Sequence, residues 1–291
     1  MKKILLTLAA VATAVSMNAQ LLWKVSGNGL EKPSFIMGTH HVAPLSVLDS
    51  IKGFDEALSS ADAVYGEVVM SEMNAPETQQ KMMAMAMAPA DSTLTVALTP
   101  EDFKLVDGVV QKYTMGQASL AQMAMMKPAL VSIQIAMLQS MKAFPGFNPA
   151  EQLDQTVQER GEKAGKRLGG FETVDFQLDK LLGDPISMQA EDLVDMVRKD
   201  ARMEEFAHDL AAKYMAQDLD GLYKLMLDPE MGSTPEEMER LITGRNVKWA
   251  DSLQSIMPQE SVFVCVGAGH LPGDRGLISL LRGKGYTVEP Y

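Results

Sequence analysis

The pattern of apolar and polar positions contains one motif twice. Residues 262–266 are five consecutive apolar residues, mostly β-branched, and they run into the turn sequence GAGH at 267–270. Residues 34–37 run in the same way into GTHH at 38–41. An apolar run that ends in glycine predicts a buried strand followed by a tight turn. Three of the four histidines of the chain therefore follow a predicted strand end.

Between these two strands, short β-branched segments alternate with amphipathic stretches of helical period. Strands are predicted at 21–25, 34–37, 62–69, 166–172, 261–266 and 286–289. Helices are predicted at 49–60, 76–88, 101–115, 119–142, 151–165, 174–183, 189–217, 219–228, 234–257 and 274–283. The turn residues Gly27, Asn28 and Gly29 join the first two strands into a hairpin. Strands separated by helices indicate an α/β fold with a mainly parallel sheet flanked by helices.

Methionine and alanine dominate a stretch that begins after residue 72 and continues to about residue 150. We interpret it as a Met-rich helical insertion, packed over the sheet edge, in a single α/β domain of residues 20–291. Its methionines allow three interpretations: ordinary helix packing, a pliable groove for peptides or apolar ligands, or a copper(I) site of soft sulfur ligands.

The N-terminus has the three-part pattern of a secretory signal peptide. Lys2 and Lys3 precede an apolar run, and small residues precede Gln20. The alternative is a buried first helix. We expect residues 1–19 to be removed and the protein to be exported, to a periplasm or outside the cell. The remaining sequence predicts no membrane span. A single cysteine, Cys265, excludes an intramolecular disulfide.

The formal net charge of −12 limits the class of partner. An acidic surface repels phosphate backbones, and no basic segment studded with aromatic residues offsets this. We therefore expect neither nucleic acid nor an anionic membrane surface as a partner.

Four side chains with metal-binding chemistry follow predicted strands: His41, Glu67, Glu172 and His270. In open α/β sheets, ligands bind beyond the carboxyl ends of the strands. Two imidazoles and a carboxylate form a ligand set for a first-row metal ion, with positions left for water and substrate. His208 lies in a polar helical segment and is expected to be solvated.

Several motifs, in the same order along the chain, resemble those of the TraB/GumN family, which includes the Tiki metalloproteases. They cover nearly all of the region after the signal peptide. The motifs are LWKVSGNG (22–29), PSFIMGTHH (33–41), ADAVYGE (61–67), QLD (152–154), GGFET (169–173), GRNVKW (244–249), VGAGHLPGDRGL (266–277) and LLRGKGYTV (280–288).

This resemblance implies a fold similar to the erythromycin esterase and ChaN group, and a site with a divalent metal. Carried over, the family pattern makes His41 and His270 the paired histidines and Glu67 their acidic partner. Arg245 and Asn246 match the family's Arg-Asn pair. Two further acids of the family pattern match Asp154 and Glu172. The family turn has one histidine, so the doublet leaves His40 as an alternative to His41, although the register favours His41.

The leading hypothesis is an exported metal-dependent hydrolase that cleaves a peptide or a related acyl bond. His41, His270 and Glu67 or Glu172 would hold Mn, Co or Zn, and the other glutamate would be the general base. Arg245 would stabilise the oxyanion with Asn246, or would instead orient a glutamate.

Two side chains, Asp154 and His40, are candidates for supporting the metal ligands from behind, although Asp154 is also explained as an acid at a helix start. The alternative functions are a protein that binds haem, a metal or a signalling peptide without turnover, and a purely structural interaction protein.

Overall fold

A computed structural model describes residues 20–291. The predicted signal peptide, residues 1–19, lies outside the described residues. Six strands form one sheet with the order β4-β3-β5-β2-β1-β6. The strands are β1 Leu22–Ser26, β2 Ser34–Thr39, β3 Ala63–Gly66, β4 Arg167–Gly170, β5 Val262–Gly267 and β6 Thr287–Pro290. All run parallel except β1, which pairs antiparallel with both β2 and β6. The prediction of an α/β fold with a mainly parallel sheet is confirmed.

Helices connect these strands and account for most of the remaining chain. They are α1 Phe54–Ser60, α2 Met70–Met73, α3 Pro76–Ala86, α4 Leu94–Ala97, α5 Pro100–Thr114, α6 Pro128–Ala143, α7 Leu153–Lys163, α8 Val174–Leu182, α9 Ile186–Arg198, α10 Asp200–Met215, α11 Leu219–Met226, α12 Pro235–Met238, α13 Gly244–Ile256 and α14 Leu277–Gly283. Short 3-10 turns occupy Leu45–Ser50, Leu120–Met123 and Ala268–His270, and a π turn occupies Glu239–Thr243. Between residues 20 and 291, no helix has the length and apolarity needed to cross a bilayer.

The centre of the sheet is buried on both faces. Residues 262–266 of β5 are all less than 2% exposed. Successive residues of a strand point to opposite faces, so helices must cover β5 on both sides. On one of these faces the ring of Phe263 meets that of Phe54 from α1, edge to face, at 5.7 Å. This double burial explains why the strand is a continuous apolar run rather than an alternating one.

Three predicted helices are interrupted in the structure. The helix predicted at 49–60 is the end of a 3-10 turn, which stops at Ser50, followed by α1, which begins only at Phe54 because Gly53 is left-handed, with φ 72°. The helix predicted at 119–142 is a 3-10 turn followed by α6, which begins only at Pro128. Proline disfavours a helical conformation in the preceding residue, and Lys127 is extended, with φ −63° and ψ 144°. The helix predicted at 189–217 is divided into α9 and α10 around Lys199.

The helices between β3 and β4 contribute to a second apolar core, separate from that of the sheet. Val106 and Val110 of α5 pack there with Val131 and Ile135 of α6, and Leu193 of α9 completes the group. The methionines of this region lie mostly at its margin rather than at its centre. β-branched and leucine side chains therefore provide its centre.

Candidate functional site

The sheet order places four predicted site residues side by side. The adjacent parallel strands β4, β3, β5 and β2 end, respectively, just before Glu172, Glu67, His270 and His41. Because parallel strands have their carboxyl ends at the same edge, residues distant in sequence meet there. The tertiary structure thus brings together the two motifs that end in histidine.

The turns that carry the histidines touch each other. A Cβ atom added to Gly38 would lie 2.9 Å from the Cα atom of Ala268 in the opposite turn. A real Cβ atom is essentially never so close to a backbone atom, so the position requires glycine. Glycine is not required here for a left-handed backbone conformation, since neither Gly38 nor Gly267 has a positive φ.

The orientation of His270 is fixed by Asn246 of α13. The side-chain nitrogen of Asn246 donates to the carbonyl groups of His270 (3.2 Å) and Arg275 (2.9 Å). Its oxygen therefore faces Nδ1 of His270, at 2.7 Å, and Nδ1 must carry the proton. The ring is 3% exposed, and burial lowers the pKa of His270 to about 4. The neutral ring thus presents the lone pair of Nε2 to the site.

Arg245 binds both glutamates of the site. Its Nε and Nη2 atoms each donate to Glu172 at 2.8 Å, and Nη2 also donates to Glu67 at 2.5 Å. Nη1 donates to the carbonyl of Leu241 at 2.8 Å. The guanidinium lies 4.7 Å from the ring centre of Trp249, whose Nε1 atom donates to Glu172 at 3.1 Å. Arg245 and Glu172 are largely buried, with side chains 13% and 7% exposed.

Glu67 lies between the arginine and His270. Its Oε2 accepts a hydrogen bond from Gln177 at 3.0 Å as well as that from Arg245, and its Oε1 accepts from the backbone of Gly267 at 3.0 Å. Burial opposes ionisation, but the positive charge of Arg245 and the hydrogen bond from the Gly267 amide prevail, so the pKa of Glu67 is lowered. Oε1 is 3.6 Å from Nε2 of His270.

The second histidine, His41, is paired with Asp154 of α7. Nδ1 of His41 donates to Asp154 at 2.9 Å, and Thr39 donates a short hydrogen bond to the other carboxylate oxygen. The charge of Asp154 raises the pKa of His41 to about 9. Asp154 is 7% exposed, whereas the His41 side chain is 68% exposed. A buried carboxylate thus holds an accessible imidazolium by Nδ1, and Nε2 of His41 can become a metal ligand only when it loses its proton.

The neighbouring His40 lies elsewhere. Its ring packs on Phe144 and Tyr214, with ring centres 4.7 and 5.6 Å apart, and its Nδ1 accepts from the backbone of Val42. Burial lowers the pKa of His40 to about 4. The structure therefore brings His41, and not His40, to Asp154. His208 is exposed on α10.

A cavity of about 340 Å³ opens beside these residues. Its lining consists of His41, Glu67, Val68, Met70, Met73, Asn74, Met82, Gln152, Asp154, Gln158, Gln177, Leu181 and Cys265. Its size is within the range of about 300–1,000 Å³ that is typical of small-ligand sites. One glutamate, Glu67, lines this cavity, while Glu172 lies behind it with Arg245.

The donor atoms fit a divalent metal ion in kind. His270 and His41 each have one ring nitrogen bound by a protein oxygen atom, which is how metal-binding histidines are held. Glu67 adds a carboxylate oxygen 3.6 Å from Nε2 of His270. Within residues 20–291, however, no three His, Cys, Asp or Glu side chains converge closely enough to hold an ion. Among the predicted ligands in residues 20–291, Glu67 and His270 lie within 4 Å of each other.

Sequence reasoning did not assign roles to Gln177, Trp249 or Thr39. Gln177 donates to both Glu67 and Glu172, at 3.0 and 3.3 Å. Trp249 follows Arg245 by four residues in one helix, a spacing that places both on the same face and could have revealed their contact. The position of Gln177 has no such local signal.

Comparison with known proteins identifies the family of this chain. Residues 21–290 match the model of the TraB/PrgY/gumN family. The chain is 23% identical over 320 residues to "Metalloprotease TIKI2" of Danio rerio, an alignment that covers 92% of this chain and 60% of the relative. The chain thus spans about 60% of that relative's length. No solved structure matches. Because the family model covers nearly the whole described chain, the protein belongs to the TraB/PrgY/gumN family.

Proposed function

We propose that this protein is a metal-dependent hydrolase that cleaves a peptide or a related acyl bond. The observation that carries the proposal is the pair of Glu67 Oε1 and His270 Nε2, 3.6 Å apart, next to a cavity that Glu67 and His41 line. The similarity to a relative named as a metalloprotease supports the same chemistry. His270, Glu67 and His41 would hold Mn, Co or Zn.

A bound divalent ion would lower the pKa of a water molecule and polarise the carbonyl to be cleaved. Glu67 lies 3.6 Å from Nε2 of His270, whereas the contacts of Glu172 are with Arg245, Trp249 and Gln177. We therefore assign Glu67 to the metal and Glu172 to holding Arg245. The oxygens of Glu172 accept from Arg245, Trp249 and Gln177, which argues against a role as general base.

The contacts of Arg245 and Asn246 favour positioning roles over oxyanion stabilisation. Arg245 donates to Glu67, Glu172 and the Leu241 carbonyl, so its nitrogens already have acceptors. Asn246 uses its amide nitrogen on two backbone carbonyls and its oxygen on His270. We infer that Arg245 holds the two carboxylates and that Asn246 holds the His270 tautomer.

The test is a cleavage assay with purified residues 20–291. The protein would be freed of metal, supplied with Mn²⁺, Co²⁺ or Zn²⁺, and incubated with a peptide library whose products are identified by mass spectrometry. We expect cleavage only with metal, and a loss of about 100-fold or more in His270→Ala and Glu67→Gln. His208→Ala, a histidine outside the site, is the matched control. Cleavage that resists a chelator or survives His270→Ala would contradict the proposal.

The same preparation distinguishes hydrolysis from capture. Stoichiometric binding of a peptide, a metal or haem without formation of any product would show that the protein binds this ligand and does not hydrolyse it. A Soret band on addition of haem would identify the haem case. If no metal binds and both histidines can be replaced without effect, a structural role would remain.

We also infer export, since residues 1–19 have a basic start, an apolar run and a small-residue cleavage site. Mass spectrometry of the protein isolated from its native host should give an N-terminus at Gln20. A mature chain that retains residues 1–19 would contradict this inference.

A further inference from the structure

The cavity next to Glu67 and His41 has an apolar wall. Three methionines contribute to it, Met70 and Met73 from α2 and Met82 from α3. Leu181 of α8 and Val68 extend the same lining. We call Met70, Met73, Met82 and Leu181 the methionine wall. Among residues 20–291, three methionines line this cavity, which separates them from the exposed Met83 and Met115.

The methionine wall is tied to the candidate site by a buried amide. Gln158 of α7 is 3% exposed; its oxygen accepts from the backbone of Met70 at 2.9 Å, and its nitrogen donates to the carbonyl of Val68 at 3.0 Å. Gln158 thus fixes the chain immediately after Glu67. A Lys81–Asp175 ion pair (2.5 Å) links α3 to α8 at the outer side. These contacts consequently fix the position of the methionine wall relative to Glu67.

The charged side chains around the cavity do not favour binding of a cationic ligand. Each carboxylate that lines it already has a hydrogen-bond partner within the protein, because Glu67 accepts from Arg245 and Asp154 contacts His41. A charged substrate side chain would lose hydration there without gaining an ion pair. An apolar side chain would instead bury its surface against thioethers, which adapt to varied shapes.

We propose that the methionine wall binds a large apolar side chain of the peptide substrate, next to the bond that is cleaved. The proposal rests on the proposed function and names its substrate class. The lining predicts a broad preference for leucine, methionine and phenylalanine, since flexible thioethers do not select one shape. It also predicts discrimination against lysine and aspartate by about 10- to 100-fold in kcat/KM.

The test compares two glutamate substitutions on neighbouring positions of α3. Met82→Glu places a carboxylate in the methionine wall, whereas Met83→Glu places it on a side chain that is 72% exposed. Both variants and the parent protein are assayed with a positional-scanning peptide library in which each position is fixed in turn as Leu, Phe, Lys or Asp. Thermal unfolding checks that both variants fold.

We expect Met82→Glu to lose about tenfold or more on the leucine and phenylalanine sets and to gain on the lysine set. Met83→Glu should keep the parent profile. Gain on lysine cannot arise from misfolding, so it identifies the wall as the binding surface. Equal profiles for the two variants, or a parent enzyme that cleaves all sets alike, would overturn the inference while leaving the hydrolase proposal intact.

If none of the peptide sets is cleaved, fluorescence anisotropy with labelled peptides from the same sets tests binding to the methionine wall independently of hydrolysis. Tighter binding of the leucine set than of the lysine set, reversed in Met82→Glu alone, would support the methionine wall although the hydrolase proposal had failed. Failure to bind any of the peptides would overturn it.

Discussion

Nε2 of His270 faces Oε1 of Glu67 at 3.6 Å. Because Asn246 fixes the proton of the neutral ring on Nδ1, both facing atoms are acceptors and cannot hydrogen-bond to each other. Nε2 instead accepts a hydrogen bond from Nη1 of Arg245 at 3.4 Å. An imidazole nitrogen and a carboxylate oxygen are ligand types of first-row metal ions, and binding one here would displace the hydrogen bond from Arg245.

This pair predicts a spectroscopic signature. Co²⁺ added to metal-free protein should produce visible d–d absorption, because imidazole and carboxylate ligands would surround the ion. Glu67→Gln and His270→Ala should each weaken binding by about 10- to 100-fold, as removal of a ligand contact does. Met83→Glu is the control that adds a surface carboxylate without touching the site. An unchanged cobalt titration in His270→Ala would exclude His270 as a ligand.

Replacing Asn246 by alanine should reduce both activity and stability. The ring of His270 would lose the acceptor of its Nδ1 proton, and kcat/KM should fall by about 10- to 100-fold. The carbonyls of His270 and Arg275 would lose their donor, at about 1–3 kcal/mol for each buried group. Urea unfolding and peptide kinetics measure the two effects. Asn148→Ala, on an exposed loop, should change neither quantity; an Asn246→Ala protein as active as the parent would contradict the positioning role.

Removing the guanidinium from Arg245 should destabilise the fold. Arg245→Met leaves Glu172, 7% exposed, without its counter-ion, and breaking such a pair costs about 3–5 kcal/mol. Adding Glu172→Gln to this variant should recover part of the loss because the orphaned charge disappears. Arg245→Lys keeps the charge but not the bidentate hydrogen bonding, so its stability should lie between that of the parent protein and that of Arg245→Met. A change below about 1 kcal/mol in Arg245→Met, by urea unfolding, would contradict the burial of this pair.

Two glycines within helices should respond oppositely to alanine. A Cβ atom at Gly161 of α7 would lie 2.5 Å from Cγ2 of Val64 in β3, so Gly161→Ala should push α7 away from the sheet and lower stability by about 1–3 kcal/mol. Gly108 of α5 has nothing within 4 Å of that position. Gly108→Ala should raise stability by about 0.5–1 kcal/mol through helix propensity. Denaturant midpoints that move in the same direction for both would refute this difference in packing.

The pH dependence of stability should include a contribution from Glu204 of α10. Hydrogen bonds from Lys142 and then Lys112 lower the pKa of Glu204 from 4.5 to about 2. A pKa lower in the folded state gives stability that is complete above the unfolded value and lost as pH falls from about 4.5 toward 2. At pH 7, Glu204→Gln should cost no more than about 1 kcal/mol because the carboxylate is partly exposed. The difference in unfolding free energy between the parent protein and Glu204→Gln, measured by urea unfolding from pH 7 to pH 2, should become smaller as the pH falls. A difference that stays constant over this range would contradict the lowered pKa of Glu204.

The sequence by itself determined the central strands and the class of fold. Residues 262–266 are apolar because both faces of β5 are covered, and this local pattern is visible without any structure. The glycine-histidine turns could also be recognised from the local sequence, since glycine at a strand end indicates a close approach or a sharp turn. Family motifs then indicated Arg245, Asn246 and Asp154.

Only the tertiary structure decided how these side chains divide between roles. His40 and His41 are adjacent, yet one ring packs on Phe144 and the other meets Asp154, 113 residues away along the chain. Likewise, Glu67 lines the cavity while Glu172 is enclosed by Arg245 and Trp249. These outcomes depend on side-chain direction and on contacts between distant segments, which no local pattern encodes.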